Sequence, residues 1–549
     1  MSCFQKLAAL IVAGVFLTPV YADTAPRWNI LFVFADDWGR YASCYKGLDG
    51  RPTINDVIHT PAVDRVAREG IVFKNAFVNA PSCTPCRSSL LSGRHFFNTG
   101  RGAILQGAIW DASIPTFPLL LKDLGYQIGK SYKVWSPGSP ADAPFGGQQF
   151  AHEKAGRAPN NFSEEMATRM DKGMSLEKAK EEILAQVAGN FSDFKAASKT
   201  GQPWHYFLGI TTTHRTWIKG SGKKLWNINP DDLKGKLPKF LPDVEEVRQD
   251  VADYLGECQA VDAYVAVLLK KLEESGELTN TLIVLSGDHG MPGVPHGKCN
   301  LYSHGVAVPL VVRVPGGKGS RVLNDFVFLP DLAPTFVEVA GGKFPGKIDG
   351  NSIFPLLQSG KSGQIDPSRT WVISGRERHV GFARDNNLPY PVRSIRNRDF
   401  VYIRNFEPDR WPMGNPEGAD KNSKQDFASL QNVTYTAFAD MDASPTKAWL
   451  VTHANDPKWK WHYELAFAKR PAEELFDLSN DPDQVNNVAK ESKYTQVKQE
   501  LSQQLLAKLK EAGDPRLVKT PVPFEKPPFT DIDPFRLNKG KAGKKKAGE

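Results

Sequence analysis

Residues 81–94 read PSCTPCRSSLLSGR, with Cys83 and Cys86 three positions apart, Pro85 between them and Arg87 directly after. Such a pair fits three kinds of chemistry. A Cys-x-Pro-Cys where a strand turns into a helix lowers a thiol pKa and supports disulfide exchange. A cysteine pair is also half of a zinc site. The third possibility is that one cysteine is converted into a different functional group. The redox reading wants a small domain of its own around the motif, and it leaves Arg87 and the following Ser-Leu-Leu-Ser-Gly without a role. The zinc reading wants a second pair of ligands, and only the scattered Cys258 and Cys299 are available.

The elements that must carry such a motif are visible in the periodicity. Residues 30–34, ILFVF, form a continuous apolar run ending in Ala35-Asp36-Asp37, which predicts a buried parallel strand with acids at its carboxyl end. Thr60-Pro61 predicts a helix that closes at Gly70, with Thr as cap and Pro at the first helical position. Pro85 starts another helix, running through Leu90 and Leu91, and residues 117–124 a third, stopped by Gly125. Strands are expected at residues 206–210 (YFLGI), close before His214, and at 282–285 (LIVL), which runs into Ser286-Gly287-Asp288-His289-Gly290. A long amphipathic helix lies between them over 251–274. Strands alternating with helices predict an α/β fold with a mainly parallel sheet flanked by helices. After about Gln364 the segments TWVISGRERHV, VRSIRNRDFVYIRNF and ELFDLSNDP are shorter and alternate, with a turn at Asn397-Arg398-Asp399. They predict a smaller antiparallel sheet packed on the first unit. The expected division is a signal peptide at 1–22, a catalytic domain at 23–364, a C-terminal subdomain at 365–520 and a mobile Pro- and Lys-rich tail at 521–549.

The signal peptide rests on Lys6, the apolar run LAALIVAGVFL and the small residue Ala22. The run is too short to span a bilayer, and nothing after it is long and apolar enough to do so. The chain is therefore expected to be exported, to a periplasm or the medium. The tail NKGKAGKKKAGE holds five lysines against one glutamate, so half of the net charge of +8 sits there. A solvated tail explains that excess, and no nucleic-acid partner is expected. Once Cys3 leaves with the leader, Cys44, Cys83, Cys86, Cys258 and Cys299 remain, an odd and sparse set that does not make a disulfide scaffold.

The stretch Cys83-Thr84-Pro85-Cys86-Arg87, with its following Ser-Leu-Leu-Ser-Gly, resembles the signature of the type I sulfatases, Cys-x-Pro-Ser-Arg followed by a Leu-Thr-Gly-like helix start. Cys86 stands where that family has serine; the Cys, Pro and Arg are kept. Other matches follow in the family's order along nearly the whole chain. The resemblance implies an alkaline-phosphatase-like α/β fold. It also implies that Cys83 is oxidised by a formylglycine-generating enzyme or maturase to formylglycine, whose hydrate is a geminal diol. One diol oxygen attacks sulfur and the other later expels sulfate, so one hard step becomes two. A nearby cation makes the diol oxygen nucleophilic and screens the sulfate.

The same resemblance assigns the remaining site. Asp36 and Asp37 match the family's first pair of metal ligands, and Asp288 and His289 the second, with Cys83 beside them. Any one strand-end Asp is more often a cap or turn residue; two pairs in register with the cysteine motif reverse that preference. Calcium is the first expectation for the cation, with manganese or magnesium left open by the His289 nitrogen. GYQIGKSYKVW places the active-site lysine at Lys133 and puts Trp135 where the family has histidine, so either another group replaces that imidazole or sugar stacking does. TTTHRTWIKGSGKK gives His214 as the acid for the leaving group. Lys298 grips sulfate, and Arg87 holds the formylglycine hydrate and the metal-side carboxylates. HRTWIKGSGKK and GKCNLYSHGVAVPLVVR look most like the heparan N-sulfatase (sulfamidase) branch. SGRERHV and YIRNFEPDRWPMG look like its bacterial relatives, which makes Glu377, Arg378 and His379 candidates for sugar contact, against the alternative of a charged strand edge. The implied substrate is a sulfated glycan, as a heparan-type sulfamate or as an O-sulfate of an algal or animal polysaccharide. A phosphonate or phosphodiester hydrolase of the same superfamily and a non-catalytic glycan-binding relative are the rival readings.

Overall fold

The computed structural model describes residues 27–419 and 424–531. The expected signal peptide and Lys539, Lys541, Lys544, Lys545 and Lys546 of the tail lie outside these residues. Seven strands form the main sheet: β1 (Asn29–Ala35), β2 (Ile71–Phe77), β3 (Gln127–Tyr132), β4 (Trp204–Gly209), β5 (Thr281–Gly287), β6 (Leu310–Arg313) and β7 (Arg321–Phe328). Their order is β3-β4-β1-β5-β6-β2-β7, and only β6 runs against its neighbours.

The apolar run of β1 is buried along its whole length because both faces are covered. Ile30, Phe32 and Phe34 enter one core, and Leu31, Val33 and Ala35 enter the other. That is the period-two alternation of a strand with helices on both sides. The first core is closed by the helices Cys83–Ser92, Phe117–Asp123 and Leu332–Val339. The second is closed by Pro61–Arg68, Leu176–Ala196 and the thirty-residue helix Glu245–Glu274. Burying each large side chain of these cores is worth roughly 1.5–3 kcal/mol, which makes the central sheet a rigid platform for the loops at its carboxyl edge.

A second sheet, β8 (Trp371–Arg376), β9 (Val392–Asn397), β10 (Phe400–Asn405) and β11 (Glu473–Asp477), is wholly antiparallel in the order β11-β10-β9-β8. The helix Thr495–Ala512 covers it through Leu501, Leu505 and Leu509. Its edge is fastened to the first unit: Gly375 N donates to Asn79 O at 2.8 Å, and Ser374 Oγ to Val78 O at 2.6 Å. These are the residues between β2 and the cysteine motif.

The chain after residue 364 does not stay in that second layer. A helical segment around Met413, Leu430, Phe438, Trp449 and Phe467 packs with Cys299 of the first unit. The start of the expected mobile tail is also packed. Phe524 is buried edge-on to Phe529 at 4.9 Å, and Glu525 pairs with Arg410 and Arg516 at 3.0 and 2.8 Å. Two apolar rings and a bridged carboxylate hold residues that composition alone marks as tail. Among the described residues no helix is long and apolar enough to cross a membrane, and all five cysteines are unpaired.

Candidate active site

The site lies at the carboxyl edge of β1 and β5. Ala35 and Gly287 are paired neighbours, so the residues that follow them emerge side by side. Asp37 adopts a left-handed backbone (φ 56°), and its N–H donates to Asp288 Oδ1 at 2.7 Å. Gly287 allows the two chains to close, because a Cβ there would meet Trp38 O at 2.0 Å. Tyr254, from the long helix, donates to Asp37 O at 2.8 Å and fixes the turn from behind.

Cys83 opens the motif helix Cys83–Ser92, every residue of which is buried. Its Sγ faces His289 Nε2 at 3.3 Å and Asp37 Oδ1 at 3.8 Å. Cys86 points elsewhere and packs in the apolar core. One turn on, Arg87 bridges the two strand ends: Nε to Asp288 Oδ2 at 2.9 Å and Nη2 to Asp36 Oδ1 at 3.1 Å. Its Nη1 donates to the carbonyls of Lys133 and Val134. Lys133 Nζ reaches Asp36 Oδ2 at 2.7 Å. Lys298 Nζ lies between Asp37 Oδ2 at 3.0 Å and Asp442 Oδ2 at 3.2 Å. His214 is the open side of the cluster: 37% of its side chain is exposed, and Nε2 is 4.0 Å from Asp37 Oδ2. Its loop is held by Arg215, which makes a two-armed pair with Asp250 at 2.7 and 2.8 Å.

The electrostatics follow from these contacts. Burial works against the charge on Asp36, but Lys133 and Arg87 outweigh it and hold the carboxyl well below its usual range. Burial, then the charge of Asp36, pushes Asp288 up. Burial opposes the charge on Lys298, yet Asp37 and Asp442 raise its pKa well above the ordinary value. The Cys83 thiol is pushed far up, first by burial and then by Asp36. Burial of this kind works against the thiolate that disulfide exchange needs.

Donor atoms of Asp37, Cys83 and His289, and of Asp36, Cys83 and Asp288, lie within 4.8 Å of one another. Asp36, Asp37, Asp288 and Asp442 together outnumber the fixed cations Arg87, Lys133 and Lys298. Buried carboxylates facing one another in excess of their counter-ions fit a hard divalent cation, which also reverses the sign of the pocket toward one that accepts an anion.

Trp135 and Glu377 correct the sequence reading. Trp135 is fully buried, its Nε1 donates to Ser88 Oγ at 2.8 Å, and its ring meets Trp110 edge-on at 5.8 Å. It props the motif helix from behind and offers no face to a sugar. Glu377 is buried in an ion cluster with Arg393 and Arg516, at 2.7 and 2.6 Å, so both oxygens are engaged inside the protein. Arg378 is also buried and donates to the carbonyls of Gln106 and Asp531, at 2.6 and 2.9 Å. Of the three, His379 reaches the site, with Nδ1 2.8 Å from Ser82 Oγ. Sequence reasoning missed Asp442, which follows no strand and sits in a short motif without signature. It also missed the apolar wall of Leu105, Val380, Ala383 and Ala439 around Cys83.

The family model described as Sulfatase matches residues 28–342, more than half of the chain. The chain belongs to the sulfatase family. It is a sulfate ester or sulfamate hydrolase of mixed α/β fold. An ulvan-active sulfatase of Formosa agariphila is 28% identical over 496 residues, covering 88% of this chain and 80% of the relative. The human N-sulphoglucosamine sulphohydrolase is 26% identical over 528 residues, covering 89% and 91%. A solved structure in complex with its substrate D-glucosamine-2-N,6-O-disulfate superposes with TM-score 0.59 at 18% identity, covering 90% of this chain and all of the other. The phosphonate monoester hydrolase of Agrobacterium radiobacter shares the fold equally well, with TM-score 0.59 at 17% identity over 88% and 96%.

Proposed function

We propose that this sulfatase removes sulfate from a sulfated glycan, with formylglycine made from Cys83 as nucleophile and a divalent cation, calcium first, held by Asp36, Asp37, Asp288 and His289. The observation that carries this reading is the position of Cys83 Sγ, 3.3 Å from His289 Nε2 and 3.8 Å from Asp37 Oδ1. The nucleophile's position and the acidic cluster are thus one site. Hydrated formylglycine supplies a diol, one oxygen to attack sulfur and one to release sulfate afterwards. A bound cation supplies positive charge that favours the ionised form of an adjacent hydroxyl and screens the sulfate oxygens.

The chain's own residues supply the rest. Arg87 fixes Asp36 and Asp288 relative to the motif helix. Lys133 and Lys298 hold cationic Nζ atoms on the carboxylate side of the pocket, where they meet the charge that grows on sulfate oxygens. Asp442 orients Lys298. His214, the exposed member, donates a proton to the departing oxygen or nitrogen. The apolar wall around Cys83 excludes water from the reacting centre.

An N-sulfated glucosamine is the first proposed substrate, supported by the human relative and by the segments that resemble the sulfamidase branch. The ulvan-active relative supports an O-sulfated polysaccharide as the second. Sulfate release by the matured protein from N-sulfoglucosamine, heparan and ulvan oligosaccharides, beside nitrophenyl sulfate and a phosphate diester, separates them. Turnover of one glycan class far above the others assigns the substrate. Hydrolysis of the phosphate diester without sulfate release overturns the proposal.

A further inference from the structure

A concentration of positive charge lies away from the acidic cluster of the candidate active site. A cavity of about 300 Å³, at the small end of ligand-binding pockets, opens beside β2 and β9. None of Asp36, Asp37, Cys83, Lys133, His214, Asp288, His289 or Lys298 lines it. Six cations do: Arg40, Arg51, Lys74, Lys236, Arg396 and Arg398.

Two carboxylates answer them, and both are committed. Asp49 pairs with Arg40 at 2.6 Å, and Asp483 with Arg51 at 2.5 Å. Lys236 Nζ donates to the Asp232 carbonyl. Lys74 and Arg398 make no ion pair among the described residues. Arg396 is the buried one of the six. It is 6% exposed, projects from β9 and lies over the Phe77 ring at 5.1 Å. Its Nη2 donates only to neutral oxygens, Ser303 Oγ at 2.8 Å and Gln484 Oε1 at 3.1 Å, and its Nε has no partner. A buried guanidinium without a counter-ion is costly. Burial, and then the charge of Arg40, push its pKa down to about 9.

We infer that this cavity is a binding site for a tetrahedral oxyanion, sulfate or phosphate, held by the free edge of Arg396 and by Lys74 and Arg398 at the rim. The planar guanidinium matches two oxygens of such an anion, and the lysine adds a point charge. The Phe77 ring beneath Arg396 is itself buried and stacked on Phe326 at 5.6 Å, so the ligand is recognised through its charged oxygens, which a free ion and a sulfate group carried on a sugar share.

The test is calorimetric titration of the full-length protein with sodium sulfate, sodium phosphate and N-sulfoglucosamine, the last in a Cys83→Ala background that does not turn it over. The parent is expected to show a class of sites beyond the catalytic one. Lys74→Ala with Arg398→Ala, both outside the core, should weaken that class roughly tenfold, and Arg396→Gln should remove it. Hydrolysis of nitrophenyl sulfate should be unchanged in both, which separates this site from the catalytic one. Tighter binding of N-sulfoglucosamine than of sulfate assigns the anion to a sugar, and the reverse assigns the free ion. Identical isotherms for all three ligands in the parent and the folded rim variant overturn the site, whether or not Arg396→Gln folds.

Discussion

His214 is the most exposed member of the candidate cluster, and its proposed role follows from that. A sugar hydroxyl or amine is a poor leaving group and needs a proton as its bond to sulfur breaks; nitrophenolate does not. General-acid help is worth roughly 10²–10⁴ in rate. His214→Ala should therefore lose a factor of that order in kcat on glycan and far less on nitrophenyl sulfate. Steady-state rates on both substrates check this, and equal losses would remove the acid from His214. The structure supports the assignment through position, since Nε2 sits 4.0 Å from Asp37 Oδ2 at the open edge of the pocket. It also narrows the field, because Trp135 is turned away and His379 is committed to Ser82.

The elements explain which parts of this arrangement the sequence made legible. β1 and β5 are apolar, buried on both faces and followed directly by their functional residues, so strand and site could be read together. β3 could not be read as a strand: its buried Lys130 is neutralised by Asp142 at 2.8 Å, and its Ser131 bonds Tyr206. Partners distant in sequence turn a polar segment into core. Trp135 shows the same limit from the other side, since its place in a family motif invited a surface role that its burial denies. Trp135→Ala should cost about 3–5 kcal/mol of stability, the usual price of an emptied aromatic site. KM for glycan should stay near the parent value in the folded fraction. Urea melts with KM measurements test this, and a raised KM at unchanged stability would restore the stacking role. The long helix carries a pH-sensitive group of its own. Burial pushes the Glu257 carboxyl from an ordinary 4.5 up to about 7, against hydrogen bonds from Ser163 and Thr212. The folded state thus holds this proton more tightly than the unfolded chain. Its stabilising contribution is full below about pH 4.5 and is lost as pH rises through about 7. Glu257→Gln keeps the neutral form at all pH. Its melting temperature should match the parent near pH 5 and exceed it at pH 8, by up to about 3 kcal/mol in stability. A constant difference across that range would place the titration elsewhere.

The whole molecule is a rigid two-faced sheet that brings three distant stretches of chain, near residues 36, 83 and 288, to one edge, while the helical segment between β10 and β11 adds Asp442. The order of these motifs along the chain was readable; Asp442 was not, because only folding brings residue 442 beside Lys298. A cation held by the acidic excess at that edge would be coupled to folding. Exhaustive chelation should abolish activity and lower the melting temperature. At a cation concentration a hundred times Kd the loss is about 2.7 kcal/mol. Unchanged melting and activity after chelation would show that the carboxylates are balanced by protein cations alone. The central claim is that Cys83 carries the nucleophile, and peptide mass spectrometry of the protein coexpressed with a maturase tests it most directly. A thiol-to-aldehyde mass loss at Cys83, an intact thiol at Cys86 and no activity in Cys83→Ala are expected. An aldehyde at Cys86, or full activity in Cys83→Ala, would contradict it.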